Sequence, residues 1–393
     1  MKILIKGENK NIIENENLIV KRFEDKVYVD YRDYINPLII SVSEKFIFLN
    51  FGFFEDFSSL KDSINFPKIF FLSSGFLPIL RKYVVIDPTF NFIFDEKNLT
   101  ITEKKVILSP HHSFFSKLNE FINSKNLKLA LSDGMDSSVL LSLLNNVRCI
   151  SIVNSFRIKF RLKILYGFKN IKFLKLNFYE FIDITLSNIK NLTWSVPNII
   201  DFFLIDKCSE LVIGHTGDFL KNGHYTGDPS MEFILSKYFR NYPLDENSRV
   251  YIINYIRNYF KNFDNSIDYS LKVQSFGYIH RQLPFLIGSS NIAKSMNKKL
   301  YMPFWDFNFA YFFLSKNVSK TRQKLFNNFY KSILGSKYYL FKFLKKIQSF
   351  EYKFFLIFNR VYVYQDTFRF RKFNKVGLTK YVIRFYERVH SKR

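Results

Sequence analysis

Leu127 to Leu144 reads LKLALSDGMDSSVLLSLL, and this stretch decides the fold. It opens on an apolar run, Leu127 to Leu131, short enough for one buried strand. A tight polar turn follows: Ser132, Asp133, Gly134, Met135, Asp136, Ser137, Ser138. A helical apolar pattern then starts at Val139 and runs through Leu140, Leu141, Leu143 and Leu144. Strand, small-residue loop and helix together present first-turn N–H groups to an anion, and the helix dipole favours negative charge there. Gly134 permits close approach. Ser132, Ser137 and Ser138 add hydroxyl donors, and Asp136 stands where a carboxylate could hold Mg²⁺ against phosphate oxygens. The alternative is an ordinary strand-turn-helix with a serine N-cap.

On either side, the chain keeps alternating strand and helix. Val147 to Val153, Ile171 to Leu176 and Leu211 to Ile213 read as buried strands. Helices are expected around Phe114 to Ile122, through Ile182 and Leu186, and over Asn198 to Lys207 after Pro197. This pattern predicts an α/β domain with a parallel sheet and helices on both faces, whose ligands sit at the carboxyl ends of the strands. Residues 1–105 read instead as a smaller β-rich domain, with strands at Lys26 to Tyr31, Leu38 to Val42, Lys45 to Phe51 and Tyr83 to Ile86. Asp87-Pro88 and Asp95-Glu96 read as hairpin ends. Residues 231–347 read as mainly helical: Met231 to Tyr238, Tyr251 to Phe260, Val273 to Met296 and Phe309 to Leu314. The expected division is 1–105, a central domain over 106–345, and a basic extension over 346–393.

With 393 residues, 47% hydrophobic and 19% aromatic, the chain is too apolar for disorder and long enough for two or three domains. Its 49 Phe and 24 Tyr belong to a composition also rich in Ile, Asn and Lys, so aromatic stripes read as core. The net charge of +25 raises nucleic acid, acidic peptides and membrane surfaces as partners, although Lys and Arg are spread along the chain as on a solvated surface. Cys149 and Cys208 form no C-x-x-C, so neither a zinc nor a thioredoxin-type site is indicated, and a reducing cytoplasm fits. His111, His112 and His280 show no metal-ligand spacing. The start, MKILIKGENKN, has no signal-peptide core, and apolar runs are interrupted before they could span a bilayer.

The 132–138 loop lacks the Walker pattern. It resembles the S-G-G-x-D-S pyrophosphate loop of the ATP pyrophosphatases, in particular the asparagine synthetase family. Ser132, Gly134, Asp136 and Ser137 match, and Asp133 replaces the first glycine. Gly214-His215-Thr216-Gly217-Asp218-Phe219-Leu220 and Gly223 resemble that family's G-E-G-x-D-E-L-x-x-G-Y segment. Gly214, Asp218, Leu220 and Gly223 match, while His215 and Phe219 each replace a Glu. His215 could bind a carboxylate or phosphate in the pocket or satisfy backbone groups of its own turn. Met302-Pro303-Phe304-Trp305-Asp306 resembles the R-x-P-F-L-D segment, with Lys299 where the family has a Glu that assists amide formation. Phe373 to Leu378 resembles R-x-K-x-G-F, whose lysine corresponds to Lys375.

The resemblance implies an ATP-dependent carbon–nitrogen ligase. A substrate carboxylate is adenylated with release of pyrophosphate, and an amine then displaces AMP. Ser132, Asp133, Gly134, Met135, Ser137, Ser138, Gly214 and Gly217 would hold ATP, Asp136 and Asp218 would hold Mg²⁺, and Lys375 would stabilise developing charge. The family's glutaminase domain uses an N-terminal cysteine. Here position 2 is Lys2 and the first cysteine is Cys149, so the expectation is a degenerate domain without that chemistry. Nitrogen would come from free ammonia, another subunit or an amine of the substrate. The last option resembles the lasso-peptide and β-lactam cyclases of the family, with a precursor peptide as one partner. The alternatives are a tRNA-modifying ATP pyrophosphatase, of lysidine synthetase or thiolation type, and a catalytically degenerate nucleotide-binding protein.

Overall fold

Short β-branched and aromatic segments punctuated by polar turns pair locally, and the N-terminal stretch does so in two antiparallel sheets. Its strands are β1 (Lys2–Ile5), β2 (Asn11–Asn15), β3 (Leu18–Phe23), β4 (Lys26–Tyr31), β5 (Leu38–Ser43), β6 (Phe46–Phe51), β7 (Tyr83–Val85), β8 (Phe90–Phe94) and β9 (Leu99–Glu103). One sheet runs β1-β6-β5-β7 and the other β2-β3-β4-β8-β9. Asp87-Pro88 is not a hairpin end: β7 pairs with β5 and β8 with β4, so this turn carries the chain from one sheet to the other. The Asp87 carboxylate fixes it, with Oδ1 accepting from the Thr89 N–H at 2.9 Å.

The computed structural model describes residues 2–5, 11–15, 17–23, 26–35, 38–43, 46–51, 83–94, 98–106, 118, 126–132, 134–144, 147–153, 156–167, 171–175, 196–215, 217–223, 230–239, 246–344 and 346. Asp95-Glu96, the helix around Ile182 and Leu186 and, apart from Leu118, the helix from Phe114 to Ile122 lie outside them, as do Asp133, His111, His112 and Lys375.

The predicted α/β alternation is present. Strands β10 (Leu127–Ala130), β11 (Arg148–Ile152), β12 (Ile171–Leu174), β13 (Glu210–Val212) and β14 (Lys299–Tyr301) form a parallel five-stranded sheet in the order β12-β11-β10-β13-β14. Helices α1 (Met135–Leu143), α2 (Phe156–Tyr166) and α3 (Val196–Asp206) lie between its strands in the chain. Strand β14 was not expected: three residues opening on Lys299 give too short an apolar run to signal a strand. Further helices are α4 (Gly217–Asn222), α5 (Met231–Phe239), α6 (Glu246–Lys261), α7 (Tyr269–Gly277), α8 (Leu283–Ser295), α9 (Phe307–Leu314) and α10 (Lys320–Leu334). The run Val273 to Met296 is helical up to Ser295, as expected, but not a regular α-helix throughout. A π turn at Tyr278–Gln282 lies between α7 and α8, with Tyr278, Ile279, His280 and Gln282 buried. Among the described residues no helix is long and apolar enough to cross a membrane.

The chain divides into two units. One comprises 1–116, 216–287 and 304–324, and the other 117–215, 288–303 and 325–393. The first holds the antiparallel sheets. Its core includes a buried ion pair, Lys104 Nζ to Asp30 Oδ1 at 2.7 Å, and the same ammonium donates to the carbonyls of Tyr31 (2.6 Å) and Pro88 (2.8 Å). Burial pulls the Lys104 ammonium down to about 8 against the opposing pull of Asp30. Tyr34, Tyr278 and Trp305 pack ring on ring here, with centroids 5.5–6.0 Å apart. The second unit holds the parallel sheet.

Candidate nucleotide site at the sheet switch point

In the parallel sheet, β10, β11 and β12 proceed outward in one direction, and the chain then returns to place β13 and β14 on the other side of β10. The order reverses between β10 and β13. Loops leaving adjacent parallel strands at such a reversal diverge, and the crevice they leave at the carboxyl ends is where open α/β sheets take ligands. The loops at this reversal leave the strands at Leu131 and at Ile213, and they begin the two motifs read from the sequence.

The first loop is braced internally. Ser137 Oγ lies 3.0 Å from Ser132 Oγ and accepts from the Ser132 N–H at 3.1 Å. The Gly134 N–H donates to Ser132 Oγ at 3.1 Å, and Ser138 Oγ donates to the Gly134 carbonyl at 2.7 Å. Tyr166, at the end of α2, brings its hydroxyl within hydrogen-bond reach of both the Ser132 carbonyl, at 2.9 Å, and Ser138 Oγ. Ser137 and Ser138 are thus buried in the loop's own hydrogen bonds, whereas Ser132 is exposed. The hydroxyls of Ser137 and Ser138 shape the turn.

Helix α1 begins earlier than the apolar pattern predicted, at Met135, because the loop serines supply the turn that leads into it. Its N-cap is Gly134, not a serine, and no side chain caps the first-turn N–H groups. Asp136 lies in that first turn and is half-buried. Tyr330, from α10, donates to Asp136 Oδ1.

The second loop meets the first at Gly214. A Cβ there would stand 3.0 Å from both the carbonyl carbon of Asp136 and the nitrogen of Ser137. Only glycine lets the two loops touch at this distance. His215 follows, and its Nε2 lies 2.6 Å from Asp201 Oδ2, a buried carboxylate on α3. Ser289, on α8, donates to the same oxygen. His215 thus bonds a carboxylate of this chain, a side chain that the sequence reading did not single out.

Asp218 belongs to the other unit, exposed in the first turn of α4 after buried Gly217. Phe219 and Leu220 beside it are fully buried, and the Phe219 ring tilts against Trp305 at 6.0 Å, so this unit's core occupies the position of the family's second Glu. Gly223 ends α4 at φ +54, and Arg322 donates to the α4 carbonyls of Leu220 at 2.8 Å and Phe219 at 3.4 Å. Asp306 caps α9 by accepting from the Phe309 N–H at 3.3 Å. Lys299 opens β14 and pairs with Glu210 Oε1 at 3.1 Å, at the amino ends of the strands and so at the edge of the sheet away from the loops. Sequence reasoning missed Tyr166, Tyr330, Asp201 and Ser289. The tyrosines are hidden in an aromatic-rich composition, and no local spacing ties any of the four to the loop.

Among the described residues no three His, Cys, Asp or Glu side chains gather into a metal cage. Mg²⁺ at phosphates ordinarily uses one or two carboxylates together with the phosphate oxygens. No protein-family model matches the chain, and no curated protein matches it in sequence.

Proposed function

We propose that the chain is an asparagine synthetase-like ligase that adenylates a carboxylate with ATP, releases pyrophosphate and passes the acyl group to an amine. One observation carries the reading: Gly214 touches the Asp136–Ser137 backbone at the switch point, beside a helix start capped only by glycine. Two motifs far apart in the sequence thereby share one crevice edge, as a nucleotide phosphate site needs.

In this reading the first-turn N–H groups of α1 and the exposed Ser132 hydroxyl hold the leaving pyrophosphate. Asp136 holds Mg²⁺, which neutralises charge growing on the pyrophosphate. Asp218 is the second carboxylate assigned by the motif, and Lys375 is assigned the developing charge on the reacting phosphate. In this reading the helices flank both faces of the sheet, in the manner of adenine nucleotide α-hydrolases. Lys299 takes no part in acid–base work, because it lies at the far edge of the sheet beside Glu210. The nucleophile is an amine of the substrate, which makes a peptide carboxylate and amine the favoured pair.

The test is product analysis of the full chain with MgATP and a panel of amino-acid and peptide substrates. AMP and pyrophosphate are the expected products, and release of ADP and phosphate refutes the class. Calorimetry with MgATP alone precedes it. Absence of binding favours a degenerate protein.

A further inference from the structure

Asp136 and Tyr330 are 194 residues apart in the chain, yet the Tyr330 hydroxyl donates to Asp136 Oδ1. The tyrosine ring is buried on α10, 4.7 Å from the Phe326 ring and 6.0 Å from the Phe329 ring by centroid. A phenol in such surroundings needs an acceptor, and its packed ring gives the hydroxyl one fixed direction. The carboxylate that accepts is therefore held in one rotation. An ionised carboxylate offers about four lone-pair sites on its two oxygens, so accepting from a tyrosine hydroxyl is compatible with ligating a cation. Hydrogen bonds of this kind orient metal-binding carboxylates and tune their affinity.

We propose that Tyr330 is a positioning residue for the cation of this site: it aims the Asp136 carboxylate at a Mg²⁺ carried in on a nucleoside triphosphate. The proposal rests on the reading of the 132–138 loop as a phosphate site. It adds a contribution from α10 that no motif contains. Tyr166 braces the same loop through the Ser132 carbonyl and the Ser138 hydroxyl, so it serves as the comparison.

The experiment is calorimetric titration of the full chain with ATP, once with Mg²⁺ and once with EDTA. Tyr330→Phe keeps the ring in its place between Phe326 and Phe329. It is expected to cut the affinity gained from Mg²⁺ by about 10–100-fold and to leave the affinity in EDTA unchanged. Asp136→Asn is expected to cause a similar loss, and Asp136→Asn with Tyr330→Phe no further loss, because both act through one group. Tyr166→Phe is expected to weaken binding alike with and without the cation. Unchanged affinity in Tyr330→Phe overturns the proposal. So does an equal loss in both titrations, or a double variant whose losses multiply. Failure of the unmutated chain to bind MgATP overturns the phosphate-site reading first, and is seen before any variant is made.

Discussion

Asp87 shows how one residue in the core couples folding to pH. It is fully buried, and burial pushes its carboxyl above the usual carboxylate range against the opposing pull of Ser275 and Thr89 hydrogen bonds. The folded chain thus holds this proton more tightly than the unfolded chain. Stability from this group is greatest below the unfolded value near 4 and is lost as pH rises toward the folded value. Asp30 behaves oppositely. Burial pushes it up too, but Lys104 and Arg32 outweigh burial and hold it below its ordinary value, so its contribution disappears only in acid. Comparing Asp87→Asn with the unmutated chain cancels the Asp30 contribution. The variant is expected to gain on the parent by about 1.4 kcal/mol per pH unit across the window above pH 4, then hold that advantage. Urea unfolding at half-unit pH steps measures it, and parallel curves would refute the assignment. No reading of the Asp87-Pro88 turn could supply this, because the burial comes from elements far along the chain.

At the scale of elements, the contact that matters is loop against loop. Gly214→Ala places a methyl group 3.0 Å from the Asp136–Ser137 backbone, where no flexible side chain can give way. Overpacking of this kind costs roughly 1–3 kcal/mol, or the loops part. Thermal unfolding should show a lowered midpoint, and MgATP affinity below that midpoint should fall at least tenfold. A variant with both quantities unchanged would show that the two loops do not need to meet. Most strands and helices were legible, because each carries its period or its turn residues within a few positions. The strands at Leu127 to Ala130 and Arg148 to Ile152 lie within a residue or so of where the apolar runs put them. Strands β1, β2, β3, β8, β9 and β14, helices α2, α4 and α10, and the π turn were not picked out individually. Strand β14 is too short to carry a pattern, and the π turn is an irregularity within a stretch whose apolar residues keep helical intervals.

For the molecule as a whole, the +25 charge is the property most open to misreading. Charge alone gives binding to nucleic acid that collapses with salt, falling about 10³–10⁵-fold between 50 and 200 mM for a protein making six to ten phosphate contacts. Filter retention of tRNA is therefore expected at low salt and absent at 200 mM. Retention that survives 200 mM would instead favour the tRNA-modifying alternative.

The sequence by itself determined the alternation of strand and helix, the β-rich front and the two glycine-bearing turns, because periodicity and turn chemistry are local. Only the tertiary structure decided the strand order, and with it which two turns lie against each other at the carboxyl ends of the strands. The same holds for the partners that brace them, Tyr166, Tyr330 and Asp201. Those choices depend on which surfaces bury each other across long loops, and a linear pattern does not record that.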